Sequence, residues 1–327
     1  MRAPAFWYAP PGRLATLLTP LSWLWRVAAV LRLRVPVKVR VPVLCVGNLV
    51  AGGAGKTPVV QDLVARLGAR GVTAASLSRG HGGRLRGPLP VDPARHHAGD
   101  VGDEPLLLAA TGAAWIGRDR VVAANAMVET GVRAIILDDG FQNHALHKDL
   151  SLIVVDGGTG FGNGRVIPAG PLRETVSNGL RRADALVVIG DGPGVATVPP
   201  LAGALPVLTA RLLPDAASVA GLQGRPLLAF AGIGRPGKFF ETLRDAGLSV
   251  VAEMAFPDHH PFSAADLSAL LARAEALGAT LVTTEKDAMR LSPIWRSRVA
   301  VLPVCVSWDD PAIVERLLDR VMGVRHG

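Results

Sequence analysis

Residues 46–60 read VGNLVAGGAGKTPVV, and Gly55, Lys56 and Thr57 stand in the order that closes a phosphate-binding loop, G-x-x-x-x-G-K-[ST]. Val50 occupies the place of that pattern's first glycine. The flanks support the chemistry. An apolar β-like run, VPVLCVG, leads in, and PVVQDLVARL leads out with helical apolar spacing. Strand, glycine loop and helix N-terminus would set backbone N–H groups and the positive helix end around a phosphate. Lys56 would then reach the β- and γ-phosphates of a nucleoside triphosphate, and Thr57 would ligate Mg²⁺. Glycines permit a close backbone approach that side chains block. Val50, Ala51, Gly52, Gly53, Ala54, Gly55, Lys56 and Thr57 are therefore the expected nucleotide contacts. The competing reading, a glycine-rich turn with a chance Gly-Lys-Thr, leaves the flanking strand and helix unexplained.

Other segments offer the remaining groups of a phosphoryl-transfer site. In IILDDGFQN, residues 135–143, an apolar strand ends in Asp138 and Asp139. That has the form of a Walker B element, and a buried acid pair is costly unless it meets a cation. Asp-Asp-Gly also builds turns, but behind a phosphate loop the metal reading is preferred. Asp103 and Glu104 precede an apolar helical run in VGDEPLLLA, where acids also simply complement a helix N-terminus. SRGHGGR, residues 78–84, is a basic loop suited to phosphate, and PAGPLRE presents Arg173 and Glu174 after a turn. FPDHHPF, residues 256–262, places two histidines in a polar loop; alone, loop histidines carry little functional weight. Ala51 stands where certain dimeric ATPases with a similar loop carry a lysine that acts across the dimer, which argues against that class.

The elements that must position these groups alternate along the chain. Runs at 41–46, 73–77, 113–116, 134–137, 152–155, 185–189 and 206–210 read as strands, then 227–231, 249–253, 280–283 and 300–303, with helices between. They lack clean alternation, as expected of parallel strands covered on both faces. Gly- and Pro-rich residues at 191–205 and 221–226 mark weak boundaries, and the domain break is placed at the second. The chain has 327 residues, 49% hydrophobic and 19% charged, enough to bury a substantial core and too apolar for disorder. A net charge of +8 suits anionic partners. Nucleic acid is not expected, because aromatic stacking platforms are scarce at 5% of residues. Cys45 and Cys305 lie in strand-like runs and read as two buried thiols in a reducing compartment.

The N-terminus carries LATLLTPLSWLWRVAAVL, residues 14–31. It falls short of the roughly 20 uninterrupted apolar residues of a spanning helix, and Pro20 and Arg26 interrupt it. Arg13, Arg26, Arg32, Arg34, Lys38 and Arg40 surround Trp7, Trp23 and Trp25. Cations mixed with tryptophan suit a helix lying in a bilayer interface. An amphipathic helix packed on its own domain is the alternative, and both readings stand on the sequence.

In order from about residue 14 to about residue 291, the segments GNLVAGGAGKTP, SRGHGGR, GDEPLLLA, GRDR, LDDGFQ, PAGPLRE, FAGIGRPGKF, FPDHHPFS and TTEKDAMRL resemble the tetraacyldisaccharide 4'-kinases, which phosphorylate the lipid A precursor. With the resemblance, the expected fold is α/β: an N-terminal amphipathic, membrane-associated helix region over 1–40, a P-loop NTPase-type three-layer domain over 41–221, and a smaller α/β domain over 222–327 that completes the cleft. The resemblance implies ATP and Mg²⁺ as cofactors and the 4'-hydroxyl of tetraacyldisaccharide 1-phosphate as acceptor. It also implies peripheral or monotopic attachment to an anionic surface, the cytoplasmic face of the bacterial inner membrane, with no obligate protein partner.

Position by position, Asp103 matches the family's general base and His259 its partner, with Lys56 on the transferring phosphoryl. Thr57, Glu104, Asp138, Asp139 and Glu174 match positions associated with Mg²⁺. Arg79, Arg120, Gln142, Asn143 and Arg173 match the substrate side. Thr284, Glu285, Lys286 and Asp287 face the cleft without a stated task. Val50, His81 and Asn143 depart from the family's usual Thr or Ser, Tyr and His. A kinase of another lipid or sugar, or a membrane-targeted regulatory NTPase, remain alternatives, and the Asp103–His259 pair separates them, since a switch needs no base for a sugar hydroxyl.

Overall fold

The computed structural model describes residues 4–30 and 35–323, with the backbone alone at 26–30. Arg32 and Arg34 of the basic N-terminal set lie outside the described residues, as does the Arg26 side chain. In chain order the strands are β1 Val43–Gly47, β2 Ala74–Ser78, β3 Leu89–Pro90, β4 Ala114–Ile116, β5 Ala134–Asp138, β6 Leu150–Asp156, β7 Ala185–Ile189, β8 Val207–Pro214, β9 Leu227–Ala231, β10 Val250–Ala255, β11 Thr280–Thr284, β12 Ala300–Leu302 and β13 Val304–Trp308. Among the described residues they form two sheets, a nine-stranded one in the order β13-β8-β7-β6-β1-β5-β2-β4-β3 and a four-stranded one in the order β10-β9-β11-β12. The large sheet is parallel from β8 to β4, with antiparallel pairs at its two edges. The small sheet is parallel throughout.

Central strands of the large sheet are buried residue by residue, which is why their sequences lack alternation. One apolar layer covers each face. The first contains Val59, Val60, Leu63 and Leu67 of the helix α2, Lys56–Ala69. The second contains Phe141, Met127 and Leu172. Phe141 explains why β1 ends in glycine: a Cβ on Gly47 would lie 2.4 Å from the Phe141 Cβ.

Two expectations change. The chain does not stay with the small sheet after residue 222. β13 returns to pair with β8, and the helix Pro311–Met322 packs Val314, Leu317 and Leu318 into the same apolar layer as α2. The small sheet is thus inserted between two parts of the large one, and a continuous second unit over 222–327 does not describe the sheets. Cys45 is buried and burial pushes its thiol up to about 11, but Cys305 is exposed. Cys305 lies on β13, an edge strand of the large sheet.

The helix α1, Arg13–Val30, runs through Pro20 and docks on the 163–173 segment. Ser22 donates to the Val166 carbonyl at 2.7 Å and Trp25 to the Arg173 carbonyl at 3.1 Å. Its other side exposes Leu14, Leu17, Leu21, Trp23 and Leu24. Packing and an apolar outward face therefore coexist in one helix. Among the described residues no helix is long and apolar enough to cross a membrane.

Candidate active site

β1 is central because β5 and β6 flank it, and register sets Val46 beside Asp138. The loop leaving β1 closes on Gly55, whose φ of 80° caps α2 in a left-handed conformation open to glycine. Val50 is no tight-turn residue. It pairs as an extended bridge with Leu172, while Ala51 donates to the Pro171 carbonyl at 2.8 Å and Arg173 to the Leu49 carbonyl at 2.7 Å. A β-branched residue suits that extended position, which accounts for the departure from glycine. The pairing also carries Arg173 and Glu174 to the loop. Asn48, fully buried, staples the turn by donating to the Val50 carbonyl at 2.7 Å and the Gly52 carbonyl at 3.2 Å.

Lys56 lies at the start of α2 with its Nζ 3.5 Å from Asp139 Oδ1. Arg173 Nη1 holds both Asp139 oxygens, at 2.9 and 3.0 Å. Burial pushes the Asp139 carboxyl up, but Lys56 and Arg173 outweigh it and hold it below the ordinary range. Asp138 differs. It is 2% exposed, neither oxygen has a hydrogen-bond partner among the described residues, and burial followed by Glu104 pushes it up to about 7. A buried carboxylate without a donor, beside a helix-capped glycine loop, fits a divalent cation.

The other acids expected around a metal are engaged. Glu104 Oε1 accepts from Lys286 Nζ at 3.0 Å. Glu174 accepts from Arg182 at 2.5 Å and from Gln142 at 3.3 Å. Among the described residues no three His, Cys, Asp or Glu side chains form a ready-made metal cluster.

On the expected substrate side the residues divide. Gln142 bridges the Asn48 carbonyl and Arg173, and so belongs to the loop's scaffold. Asn143 spends its Oδ1 on the amides of Ala145 and Leu146, a local turn. Arg120 is buried and donates to the Gly117 carbonyl, so its Nη1 is not presented to a ligand. Burial and then Arg79 lower its guanidinium to about 10. Arg79 is exposed.

The second sheet supplies the opposite wall. His259 Nδ1 lies 3.0 Å from Asp103 Oδ2, although 156 residues separate the two. Asp103 opens the helix Asp103–Thr111, and His259 follows β10. Burial would raise the Asp103 carboxyl, but the bond from His259 and the charges of Lys286, His259 and Arg290 outweigh it and hold it well below the usual range. Among the described residues the non-glycine positive φ angles are those of Asp139, 52°, and His259, 57°. Asp139 contacts Lys56 and His259 contacts Asp103, and strained backbone of this kind clusters at functional sites. Arg290 Nε lies 3.0 Å from Asp103 Oδ2, a partner that the TTEKDAMRL segment contained but that spacing alone did not single out.

A family model described as tetraacyldisaccharide-1-P 4'-kinase matches residues 14–322. The chain belongs to the tetraacyldisaccharide 4'-kinase family. Among relatives, it is 58% identical over 325 residues to the tetraacyldisaccharide 4'-kinase of Rhodospirillum centenum, covering 97% of this chain and 96% of that one. Identity to the Gluconacetobacter diazotrophicus enzyme of the same name is 52%, covering 98% of both chains. The structure is similar to the crystal structure of LpxK from Aquifex aeolicus in complex with ATP, with a TM-score of 0.74 and 27% identity over 94% of this chain and 99% of that one. The mixed α/β architecture with its parallel sheet is thus shared within the 4'-kinase family.

Proposed function

We propose that this family member transfers the γ-phosphoryl group of ATP to the 4'-hydroxyl of a tetraacyldisaccharide 1-phosphate. The observation that carries the reading is that the two groups of residues are neighbours: Lys286 Nζ lies 3.0 Å from Glu104 Oε1 and 3.5 Å from His259 Nε2, the charges of Glu104 and Lys286 act on Asp138, and His259 meets Asp103. In this reading residues 50–57 form a P-loop that cradles the phosphates with backbone N–H groups, and Lys56 follows charge onto the transferring oxygens. Asp138 and Thr57 would hold Mg²⁺, which when bound neutralises phosphate charge. Asp139, gripped by Lys56 and Arg173, keeps the lysine pointed at the loop. The Asp103–His259 pair takes the hydroxyl proton as the new P–O bond forms. That contact favours a kinase over a regulatory NTPase.

The kinase unit in this reading comprises residues 41–221 together with 304–322, and residues 222–302 form the smaller unit that brings His259. α1 would lie on an anionic membrane surface through its exposed leucines and Trp23, which places the cleft where an acylated sugar is met, peripherally at the cytoplasmic face of the inner membrane. The test is phosphoryl transfer from labelled ATP to the disaccharide 1-phosphate in detergent micelles. Labelled 4'-phosphate product is expected. ATP hydrolysis without labelled lipid would favour the switch instead.

A further inference from the structure

Two cations that follow the small sheet's β11 meet two acids that open a helix of the large sheet. Lys286 and Arg290 stand four residues apart, and Asp103 and Glu104 begin the helix Asp103–Thr111. The two ion pairs are not equivalent. Arg290 Nε lies 3.0 Å from Asp103 Oδ2 with both side chains buried, 7% and 6% exposed. Lys286 Nζ lies 3.0 Å from Glu104 Oε1, and those side chains are 23% and 34% exposed. A desolvated pair is costly to break, whereas a partly solvated ammonium–carboxylate pair changes partners at little cost.

The backbone beneath Lys286 is pinned. Thr284 Oγ1 accepts the Asp287 amide at 3.1 Å. Asp287, fully buried, accepts from Thr284 Oγ1 at 2.7 Å and from the Gly232 amide at 3.0 Å, and lies 3.1 Å from Arg290. Movement is left to the Lys286 stem, which is long and flexible and ends in a compact ammonium. That ammonium is a neighbour of both halves of the site. His259 Nε2 lies 3.5 Å from it, and its charge acts with that of Lys56 on Asp138, the acid beside the nucleotide loop. A terminal phosphate offers about two negative charges and three acceptor oxygens, more than the single charge of Glu104.

We propose that Lys286 is a further catalytic residue: Glu104 stores its ammonium, and a γ-phosphoryl group draws it across. The inference rests on the kinase reading above and assigns a task within TTEKDAMRL. As the hydroxyl oxygen bonds to the γ-phosphorus, the bond to the β–γ bridging oxygen breaks. The electron pair leaves with the nucleoside diphosphate, and the hydroxyl proton passes to the Asp103–His259 pair. Lys286 exchanges no proton in this step. It joins Lys56 on the transferring oxygens, one lysine from each sheet's side of the site. A diphosphate lacks the group that Lys286 reads.

The test is calorimetric titration of the full chain with ATP and with ADP in chelator-containing buffer, read as the ratio of the ADP to the ATP dissociation constant. Lys286→Met should lower this ratio about 10-fold, the scale of one charge-assisted hydrogen bond. Lys286→Arg keeps a cation there and should hold the ratio within about threefold of wild type. Glu104→Gln releases the stored ammonium and should raise the ratio. In the double variant Lys286→Met/Glu104→Gln, the ratio should stay at the Lys286→Met level, because no ammonium is left to release. A ratio unchanged in Lys286→Met overturns the proposal, as does a fall in Lys286→Arg as large as that in Lys286→Met. A ratio lowered in both Lys286→Met and Glu104→Gln means the pair only tethers the two sheets, and overturns it too. So does a Glu104→Gln rise that is the same with and without Lys286. In turnover, Lys286→Met should lower kcat about 100-fold, and near-normal turnover overturns the catalytic role. A wild-type protein that binds ATP but labels no lipid refutes the kinase reading itself, and the ADP-to-ATP ratios still report on Lys286.

Discussion

Replacing Asp138 with asparagine should stabilise the protein without nucleotide while destroying its activity. Burial, then Glu104 and Asp139, push the carboxyl up to about 7 from 3.8 against the pull of Lys56 and Lys286, and neither oxygen finds a donor among the described residues. Below the unfolded value the group is protonated in both states and has no effect. As pH rises from about 4 to about 7 the unfolded chain releases the proton and the native state keeps it, so stability falls; above about 7 the loss is constant. Between pH 5 and pH 8 about two units of that window are crossed, which at about 1.4 kcal/mol per unit is about 2–3 kcal/mol. At about 2.1 cal/mol/K per residue, a chain of 327 residues converts this to about 3–4 °C in Tm. The assay is thermal unfolding of wild type and Asp138→Asn in chelator-containing buffer across pH 5–8. The variant's Tm advantage should grow by that amount with pH. Mg²⁺ and ATP should then raise the wild-type Tm and barely move the variant's. A Tm difference that is flat or shrinks with pH would refute the reasoning that Asp138 is an uncompensated buried acid awaiting a cation.

Lys56→Ala should cut phosphoryl transfer about 100-fold or more while circular dichroism stays unchanged, and near-normal turnover in the folded variant would remove the loop assignment. Asp103→Ala and His259→Ala should each lower kcat strongly with little change in the KM for ATP, and the double variant should be scarcely worse than the weaker single one; multiplicative losses in that cycle would break the pair. Removing residues 1–34 should shift the protein from the membrane fraction to the soluble one with ATP binding retained, measured by fractionation and nucleotide titration. A truncated protein that is insoluble and binds no ATP would show that the docking contacts of Ser22 and Trp25 matter more than the exposed leucines.

Much of the site was legible in one dimension because it is built from local constraints. Gly55, Lys56 and Thr57 lie consecutively, so a strand before them and apolar helical spacing after them suffice to predict the loop at the start of α2. Asp138 and Asp139 end an apolar run, and a run that short and rich in β-branched residues reads as a covered strand. The parallel strands of both sheets were readable for the same reason.

What tertiary structure alone decided is whatever depends on separations that sequence does not encode. Composition could not show that β13 rejoins the large sheet, because an apolar pentapeptide fits either sheet and only the position of the β8 edge selects one. Nor could it show Cys305 exposed, since an edge strand and a central strand read alike. Glu104, Glu174, Arg120 and Asn143 carried ligand-like chemistry in the sequence, and only the fold shows what they touch here: Lys286, Arg182, the Gly117 carbonyl and a local turn. The Asp103–His259–Arg290 contact joins residues 156 and 187 positions apart. Folding closes the cleft that makes those three side chains neighbours, and a chain read residue by residue holds the groups but not the distances between them.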